Sequence, residues 1–267
     1  MALDRSLPVL ILCGGRGTRI AEADSLIPKP LLPVGNRPIL WHIMKLYAAQ
    51  DYTNFVLALG YLGEEIRKFF LHYEALTSDF TIELGKPDRL EYLNRHPETG
   101  WCVTCIDTGK DSLTGTRVRL ATRHLTDDSP VLVTYGDGVG NIDVDALMRF
   151  HKDHGRLATV TAVRPPGRFG ELRIDDQGLV REFAEKPQTS SGAISGGFMV
   201  FERDAIDRYI PADDDVMLER EPLGALAADG QLAAYEHEGF WQPMDTRREQ
   251  DLLTKLWESG QAPWKIW

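Results

Sequence analysis

A glycine-rich segment near the start of the chain carries the residues best suited to bind phosphate. The segment LILCGGRGTRIAEADSLIPKP, residues 10–30, leaves an apolar run and passes through three glycines. Thr18 and Arg19 then add donors directly after backbone N–H groups that could form an anion-binding nest. Lys29 stands between two prolines, which stiffen the backbone and hold the ammonium in place. The segment therefore predicts a loop that binds a phosphate-containing ligand.

This loop differs from the two most familiar phosphate-binding loops. It is not a Walker A loop, because no Gly-Lys-Ser or Gly-Lys-Thr follows at the required spacing. It is not the dinucleotide fingerprint either, because Ile20 occupies the place of the third glycine and no acidic residue ends the second predicted strand. A flexible strand-to-helix turn remains the alternative, although open α/β sheets bind ligands at strand ends of this kind.

Two aspartates in distant loops are candidates for holding a cation. Asp137 lies in TYGDG at the end of a predicted buried strand, and Asp245 lies in QPMDT. Mg²⁺ usually takes one or two carboxylates and fills its other positions with water and phosphate oxygens. Gly-Asp-Gly also favours a turn, and Asp245 could be the N-cap of a helix at 247–259. The residues alone leave the ligand and structural interpretations about equal.

Alternating strands and helices in the first 155 residues must position these groups. The predicted strands are 8–13, 54–60, 79–84, 101–107 and 130–138, and the predicted helices are 37–50, 63–76, 114–125 and 143–155. Residues 85–100 are predicted to form a surface loop or hairpin. This alternation is typical of a mostly parallel sheet with helices on both faces, so we expect an α/β, Rossmann-like fold.

The second half of the chain changes character. Four consecutive strands are predicted between 157 and 201, followed by a helix at 222–230, a further strand and a helix at 247–259. No linker rich in Gly, Ser or Pro divides the chain, so a single domain over 1–267 is predicted. Its first half, about 1–155, would bind nucleotide, and its second half, about 156–267, would extend the sheet and add a β-rich, lid-like part.

Composition excludes several classes of partner. The net charge of −10 argues against a nucleic-acid or anionic-membrane partner, and no apolar run is long enough to span a membrane. Three cysteines fit a reducing, cytoplasmic protein. Cys102 and Cys105 form CxxC in a strand-like run, where i and i+3 face opposite sides, so no redox or zinc role is expected. His151 and His154 are predicted to be solvated surface histidines.

With these motifs in hand, the sequence resembles the sugar-1-phosphate nucleotidylyltransferases. GGRGTR and PKP match the signature of that family, and further segments match in order along the whole chain. The more specific ones are DTGKDSLTGTRV (107–118), FWQPMDT (240–246) and APWKIW (262–267), which resemble the glucose-1-phosphate cytidylyltransferase branch. The resemblance implies that CTP and α-D-glucose 1-phosphate react to give CDP-glucose and pyrophosphate. It also implies that the β-rich part binds the sugar.

The resemblance assigns roles to particular residues. Arg19 and Lys29 would hold the triphosphate and the leaving pyrophosphate, Lys186 would face the sugar phosphate, and Asp137 with Asp245 would bind Mg²⁺. The implied nucleotide-binding residues are Leu12, Gly14, Gly15, Arg16, Gly17, Thr18, Thr108, Gly109, Ser112, Arg117 and Gly136. The implied sugar-binding residues are Gly170, Glu185, Lys186 and Ser195. Arg117 could read the base edge, or it could be a surface residue of the helix at 114–125.

Three positions depart from the family pattern: Cys13 replaces Ala, Ile27 replaces a lysine of some relatives, and Ser195 replaces an Asn that contacts the sugar. Ser195 therefore bears on sugar affinity and identity. A thymidylyl- or uridylyltransferase and a catalytically silent nucleotide-sugar sensor remain alternatives. The family implies a homo-oligomer, and Trp264 and Trp267 are expected to dock on the body or on a neighbouring subunit.

Overall fold

Strands from both halves of the chain join in one central sheet. The computed structural model describes residues 3–16, 27–86, 89–125, 128–165, 171–174, 179–184 and 192–267. The strands are β1 (Val9–Cys13), β2 (Pro33–Val34), β3 (Arg37–Pro38), β4 (Asn54–Leu59), β5 (Phe80–Ile82), β6 (Leu90–Tyr92), β7 (Cys102–Asp107), β8 (Val131–Tyr135), β9 (Gly138–Gly140), β10 (Ala158–Val163), β11 (Glu171–Ile174), β12 (Val180–Ala184), β13 (Ile194–Ser195), β14 (Met199–Phe201), β15 (Leu232–His237) and β16 (Trp241–Pro243).

Helices connect some of these strands and follow the last of them. They are α1 (Ile39–Ala48), α2 (Gly63–Leu71), α3 (Tyr73–Thr77), α4 (Thr114–Thr122), α5 (Val144–His154), α6 (Arg203–Tyr209), α7 (Glu221–Ala228) and α8 (Arg247–Glu258), and a short 3₁₀ helix covers Lys29–Leu31. Within the described residues, none of the helices is both long and apolar enough to cross a bilayer.

The central sheet is mixed and mostly parallel, as predicted. Its strand order is β13-β10-β14-β8-β1-β4-β7, and β15 pairs in parallel with β10. β1 runs parallel to both β4 and β8, and β4 runs parallel to β7. β14 runs antiparallel to β8 and to β10, so the chain direction reverses there. The carboxyl ends of β1, β4, β7 and β8 consequently meet at one edge of the sheet.

Helices cover both faces of the sheet, which confirms the predicted layering. Alternate residues of β1 enter two separate cores, because successive side chains of a strand point to opposite faces. Ile11 packs in the core with α1, α5 and α8, whereas Leu10 packs with α4, α6 and α7. Both side chains are fully buried. The continuous apolar run of β1 thus reflects burial on both faces, as in the interior of parallel sheets.

Two predicted elements are divided in the structure. The helix predicted over 63–76 becomes α2 and α3, because His72 leaves helical geometry with φ −104° and ψ 13°. The strand predicted over 130–138 becomes β8 and β9, separated by a turn at Gly136 and Asp137. This second division matters for function, because the turn places Asp137 outside the strands, just beyond the carboxyl end of β8. Of the alternatives for 85–100, the hairpin is confirmed, since β6 pairs with β5.

The surface prediction for the two histidines of α5 is wrong for His151. That side chain is buried, with Nδ1 2.7 Å from Thr159 Oγ1 and Nε2 3.2 Å from Glu202 Oε1. His154 is half-buried, and its Nε2 lies 2.7 Å from the same Thr159 hydroxyl. His151 follows Leu147 by four residues, which places both on the face of α5 that meets the core.

The tryptophans of the last residues dock on the body of the chain itself. Trp264 is fully buried in the core with α1, where its ring stacks on Phe240. Trp267 packs edge-on against Trp41, with ring centroids 5.9 Å apart. The expectation of docking on the body is confirmed: other residues of the chain bury Trp264 completely and Trp267 in part.

Candidate active site

A cavity of about 320 Å³ lies at the carboxyl ends of β1 and β8. β1 leads directly into Gly14 and Gly15, and β8 leads into Gly136 and Asp137. The lining residues are Leu12, Cys13, Gly14, Gly15, Lys29, Pro30, Ser112, Leu113, Thr114, Arg117, Tyr135, Gly136, Asp137 and Met217. The position agrees with the ligand-binding edge of open α/β sheets.

Gly136 allows the two strand ends to approach closely. Its N–H donates to the Leu12 carbonyl at 3.0 Å. A Cβ placed on Gly136 would lie 2.9 Å from that same oxygen, closer than van der Waals contact permits. A side chain at this position would therefore push β8 away from β1 at the floor of the cavity.

Two aspartates converge on one ammonium beside this cavity. Lys29 Nζ lies 2.6 Å from Asp137 Oδ2 and 2.6 Å from Asp245 Oδ1. Asp245 is brought in by β16, which pairs antiparallel with β9 and places Pro243 opposite Gly138. The Met244 N–H then donates to the Asp137 carbonyl at 2.8 Å. The β9–β16 ladder is therefore what joins two acids that lie far apart in sequence.

Lys29 is held rigidly in this cluster. It begins the short 3₁₀ helix, follows Pro28, and leaves only 11% of its side chain exposed. Burial alone would lower the pKa of Lys29, but the charges and hydrogen bonds of Asp137 and Asp245 outweigh burial and raise it. Lys29 is consequently an ammonium at neutral pH.

The residues present fit a divalent cation. Two carboxylate oxygens approach the same positive group at 2.6 Å, so they already converge on one cation position. Two carboxylate oxygens suit Mg²⁺, which usually takes one or two protein carboxylates and fills its remaining positions with water and phosphate oxygens. Among the residues that the structure describes, no group of three or more His, Cys, Asp or Glu side chains is arranged for a metal. Phosphate oxygens of a bound ligand would have to complete such a coordination shell.

The backbone of Asp245 is fixed by the start of α8. Thr246 is the N-cap of this helix, so the alternative that Asp245 caps α8 is wrong. Glu249 Oε2 accepts the N–H of Asp245 at 2.7 Å and that of Thr246 at 2.8 Å, and the Thr246 hydroxyl accepts from the Glu249 N–H. This capping box leaves the Asp245 carboxylate directed at Lys29. For Asp137 the turn interpretation is correct, and the same turn presents its carboxylate to Lys29.

Arg117 is buried, so the alternative that it is a surface residue of α4 is wrong. Only 4% of it is exposed. Its two terminal nitrogens donate to oxygens of three strand-end segments: Nη1 to Leu59 O (3.1 Å), Thr108 Oγ1 (2.8 Å) and Gly109 O (2.8 Å), and Nη2 to Gly14 O (3.1 Å) and Lys110 O (3.3 Å). Burial lowers the pKa of Arg117, while Asp215 and Asp107 act in the opposite direction.

Other predicted nucleotide residues lie around this arginine. Thr108 is buried, and its hydroxyl donates to Leu59 O at 2.7 Å. Ser112 lines the cavity. Arg16 is exposed instead, forming an ion pair with Asp111 at 2.5 Å. Leu12, Gly14, Gly15, Ser112, Arg117 and Gly136 therefore line the cavity, whereas Arg16, Thr108 and Gly109 lie beside it.

Sequence reasoning missed the rim of the cavity. The Tyr135 hydroxyl donates to Glu219 Oε1, and the Thr114 hydroxyl donates to Glu219 Oε2 at 2.6 Å. Met217, from the same segment, lines the cavity. The Leu113 N–H donates to Asp215 Oδ1 at 2.9 Å, which joins the residue before α4 to a segment that is distant in sequence. The acidic run DDD at 213–215 was the available signal, but its partner is distant in sequence.

Ser195 lies in β13, which β10 and β14 separate from β8 in the order of the sheet. It is exposed in β13, opposite Ala162, and is followed by two glycines. A Cβ on the second of these, Gly197, would lie 2.9 Å from the Tyr135 ring. The predicted residues Gly17, Thr18, Arg19, Gly170, Glu185 and Lys186 lie outside the described residues.

The fold and site define an α/β protein in which one lysine and two aspartates converge at the carboxyl end of the parallel strands. The profile of the nucleotidyl transferase family matches residues 8–246, and the chain belongs to this family. Nucleotidyl transferases generally use a divalent metal, which agrees with the two convergent carboxylates.

Relatives of known name extend the comparison. The chain is 45% identical over 261 residues to glucose-1-phosphate cytidylyltransferase of Salmonella typhi, covering 98% of this chain and 100% of the relative. It is 30% identical to mannose-1-phosphate guanyltransferase of Gibberella zeae, covering 92% of this chain and 62% of the relative. The crystal structure of HddC from Yersinia pseudotuberculosis superposes with a TM-score of 0.69 at 19% identity, covering 94% and 99% of the two chains. This last likeness shows the fold.

Proposed function

We propose that the protein transfers the cytidylyl group of CTP to α-D-glucose 1-phosphate, giving CDP-glucose and pyrophosphate. Similarity to the Salmonella typhi cytidylyltransferase over nearly the entire length of both chains carries this proposal. The cluster of Lys29, Asp137 and Asp245 supports it, because a silent nucleotide sensor would have no need for two acids and a buried ammonium at one point.

The reaction needs positioning and charge stabilisation more than acid–base chemistry. An oxygen of the sugar phosphate attacks the α-phosphorus of CTP while the bond to pyrophosphate breaks. The attacking oxygen is already anionic, so no protein nucleophile or general base is required. The protein must hold two anionic substrates in line and stabilise the negative charge that develops on the leaving group.

The residues of the cavity can supply these functions. Asp137 and Asp245 would hold Mg²⁺, which when bound neutralises charge on phosphate oxygens. Lys29 carries a positive charge at the cavity wall, and its ammonium, which lies between the two carboxylates in the structure, would turn to the leaving pyrophosphate once these carboxylates held Mg²⁺. Backbone groups of Gly14 and Gly15 border the cavity where the nucleotide phosphates would lie. The roles of Arg19, Lys186, Glu185 and Gly170 remain predictions from sequence.

The test is pyrophosphate release with glucose 1-phosphate and Mg²⁺, comparing CTP, UTP, dTTP, ATP and GTP in parallel. A strong preference for CTP is expected. Preference for UTP or dTTP would keep the transferase class and overturn the cytidylyl assignment. No release with any nucleotide, in a protein that still binds CTP, would favour the sensor alternative. Replacing glucose 1-phosphate by mannose 1-phosphate in the same assay tests sugar choice, and repeating it with Ser195→Asn tests whether Ser195 affects that choice.

A further inference from the structure

The hydrogen bonds of Arg117 are already committed within the protein. A guanidinium carries five N–H donors, of which four are on the two terminal nitrogens. Those two nitrogens contact one hydroxyl and four backbone carbonyls of the chain, at 2.8 to 3.3 Å. Reading a cytosine edge would require these donors to give up their present contacts. The Leu59 and Gly14 carbonyls would keep donors from Thr108 and Tyr61, whereas the Gly109 and Lys110 carbonyls would lose the guanidinium that they contact now. The geometry therefore does not favour Arg117 as the group that selects the base.

The carbonyls belong to the segments that follow three neighbouring strands. Gly14 follows β1 in the glycine-rich segment 10–30, which we call the phosphate loop, and Leu59 ends β4. Gly109 and Lys110 follow β7 in the segment 108–113, which we call the nucleotide loop. No two of these segments are consecutive in the chain. The guanidinium is thus a common partner of loops that would have to contact different parts of one nucleotide.

Two glycines make room for the guanidinium. A Cβ on Gly14 or on Gly60 would lie closer than 3.0 Å to guanidinium atoms of Arg117, and these are the three nearest atoms in both cases. Neither glycine has a positive φ, so neither backbone conformation by itself requires glycine. The space filled by Arg117 is the feature that excludes a side chain at these two positions.

We propose that Arg117 is a positioning residue that fixes the phosphate loop against the nucleotide loop. We also propose that Gly60 must be a glycine because a side chain there would occupy the space of the Arg117 guanidinium, an arrangement that we call the seating of Arg117. This rests on the proposed function for its kinetic consequence, but the seating of Arg117 by Gly60 is independent of the reaction. Base preference then comes from groups of the nucleotide loop, with Arg117 acting on them through their carbonyls.

Four proteins test this: wild type, Gly60→Ala, Arg117→Ala and the double variant, with Gly224→Ala as matched control. A Cβ on Gly224 meets nothing within 4 Å, and Gly224 lies in α7 with ordinary φ. At temperatures where all variants are folded, Gly60→Ala and Arg117→Ala should each lower kcat/KM about 10²-fold, the scale expected for displaced substrate-binding loops. The loss should be equal for CTP and UTP, and the double variant should be no worse than Arg117→Ala.

Several results would overturn the proposal. Independent, multiplying losses in the double variant would show that Gly60 does not act through Arg117. A change in the CTP to UTP ratio of tenfold or more in Arg117→Ala would make Arg117 a base-reading residue. Wild-type activity in Gly60→Ala would show that the guanidinium needs no such seat.

Thermal unfolding separates this proposal from the proposed function. Gly60→Ala should lower Tm in the wild-type background and leave Tm unchanged or raised in the Arg117→Ala background, whatever nucleotide the protein uses. Gly224→Ala should behave alike in both backgrounds. Equal Tm losses from Gly60→Ala in both backgrounds would refute the seating even if the cytidylyltransferase assay succeeds. The expected pattern without any activity would uphold the seating and reject the function.

Discussion

Replacing Asp137 by Asn tests the cation cluster most directly. The change keeps the shape of the side chain and one acceptor oxygen but removes a full negative charge. In the structure that charge lies 2.6 Å from the Lys29 ammonium, which Asp245 also contacts at 2.6 Å. Because Lys29 retains Asp245 as a partner, we expect the Asn variant to fold, with Tm shifted by a few degrees at most.

The expected loss of activity follows from the charged ligand that a bound Mg²⁺ would lose, because that cation would in turn neutralise the phosphate oxygens. Two unit charges 4 Å apart at an effective dielectric constant near 20 interact by about 4 kcal/mol. Each 1.4 kcal/mol of transition-state stabilisation corresponds to about tenfold in rate, so most of that interaction corresponds to about 10²–10³-fold. We therefore expect kcat of Asp137→Asn to fall by about 10²–10³-fold under saturating CTP, glucose 1-phosphate and Mg²⁺.

The assay is pyrophosphate release, with Asp251→Asn as the matched control. Asp251 pairs with Arg247 on the surface of α8 at 3.2 Å, and its side chain is 65% exposed. Exposed pairs of this kind contribute between 0 and about 1 kcal/mol, so the control should keep nearly full activity. Asp137→Asn with more than a third of wild-type kcat at saturating Mg²⁺ would remove Asp137 from the cation site and refute the reasoning above.

Two further outcomes follow from the surroundings of the site. Burial lowers the pKa of His42 to about 4, with Nε2 3.0 Å from Val34 O and Nδ1 accepting from Trp264 Nε1 at 3.3 Å. The pKa of His42 in the folded protein lies below its value of about 6.5 in the unfolded chain, so the unfolded chain takes up a proton first as the pH falls. The free energy of unfolding should therefore be unaffected by His42 above pH 6.5 and should decrease as the pH falls towards 4, by up to about 3 kcal/mol. Urea unfolding between pH 7.5 and 4.5 should show this decline, and an unchanged decline in His42→Gln would contradict it. Thr246→Ala should lower the free energy of unfolding by about 1 kcal/mol through loss of the N-cap, and should also lower activity because Asp245 is disturbed. Thr246→Ser keeps the hydroxyl and should preserve both stability and activity. Full activity of Thr246→Ala would show that the N-cap of α8 does not position Asp245.

Patterns among neighbouring residues in the sequence were enough to predict much of the fold. The apolar run of β1, the helical spacing of α1 and α5, and the glycines at strand ends all depend on near neighbours in the chain. The alternation of strands and helices then restricts the layers and the edge at which a ligand binds. A glycine-rich loop and a lysine between prolines indicated phosphate binding at that edge, whereas the two acids in loops fitted a turn or a helix cap equally well and were assigned to a cation only by the family resemblance.

Contacts between distant segments were decided only by the tertiary structure. Nothing in the sequence pairs β9 with β16, yet that ladder is what places Asp137 and Asp245 on one ammonium. Helical spacing could not show that Arg117 points inward between two glycines, since a charged residue on a helix is usually solvated. The rim formed with Glu219 also comes from a segment remote in sequence. Local sequence determines which groups are available, and only long-range packing determines which of them meet.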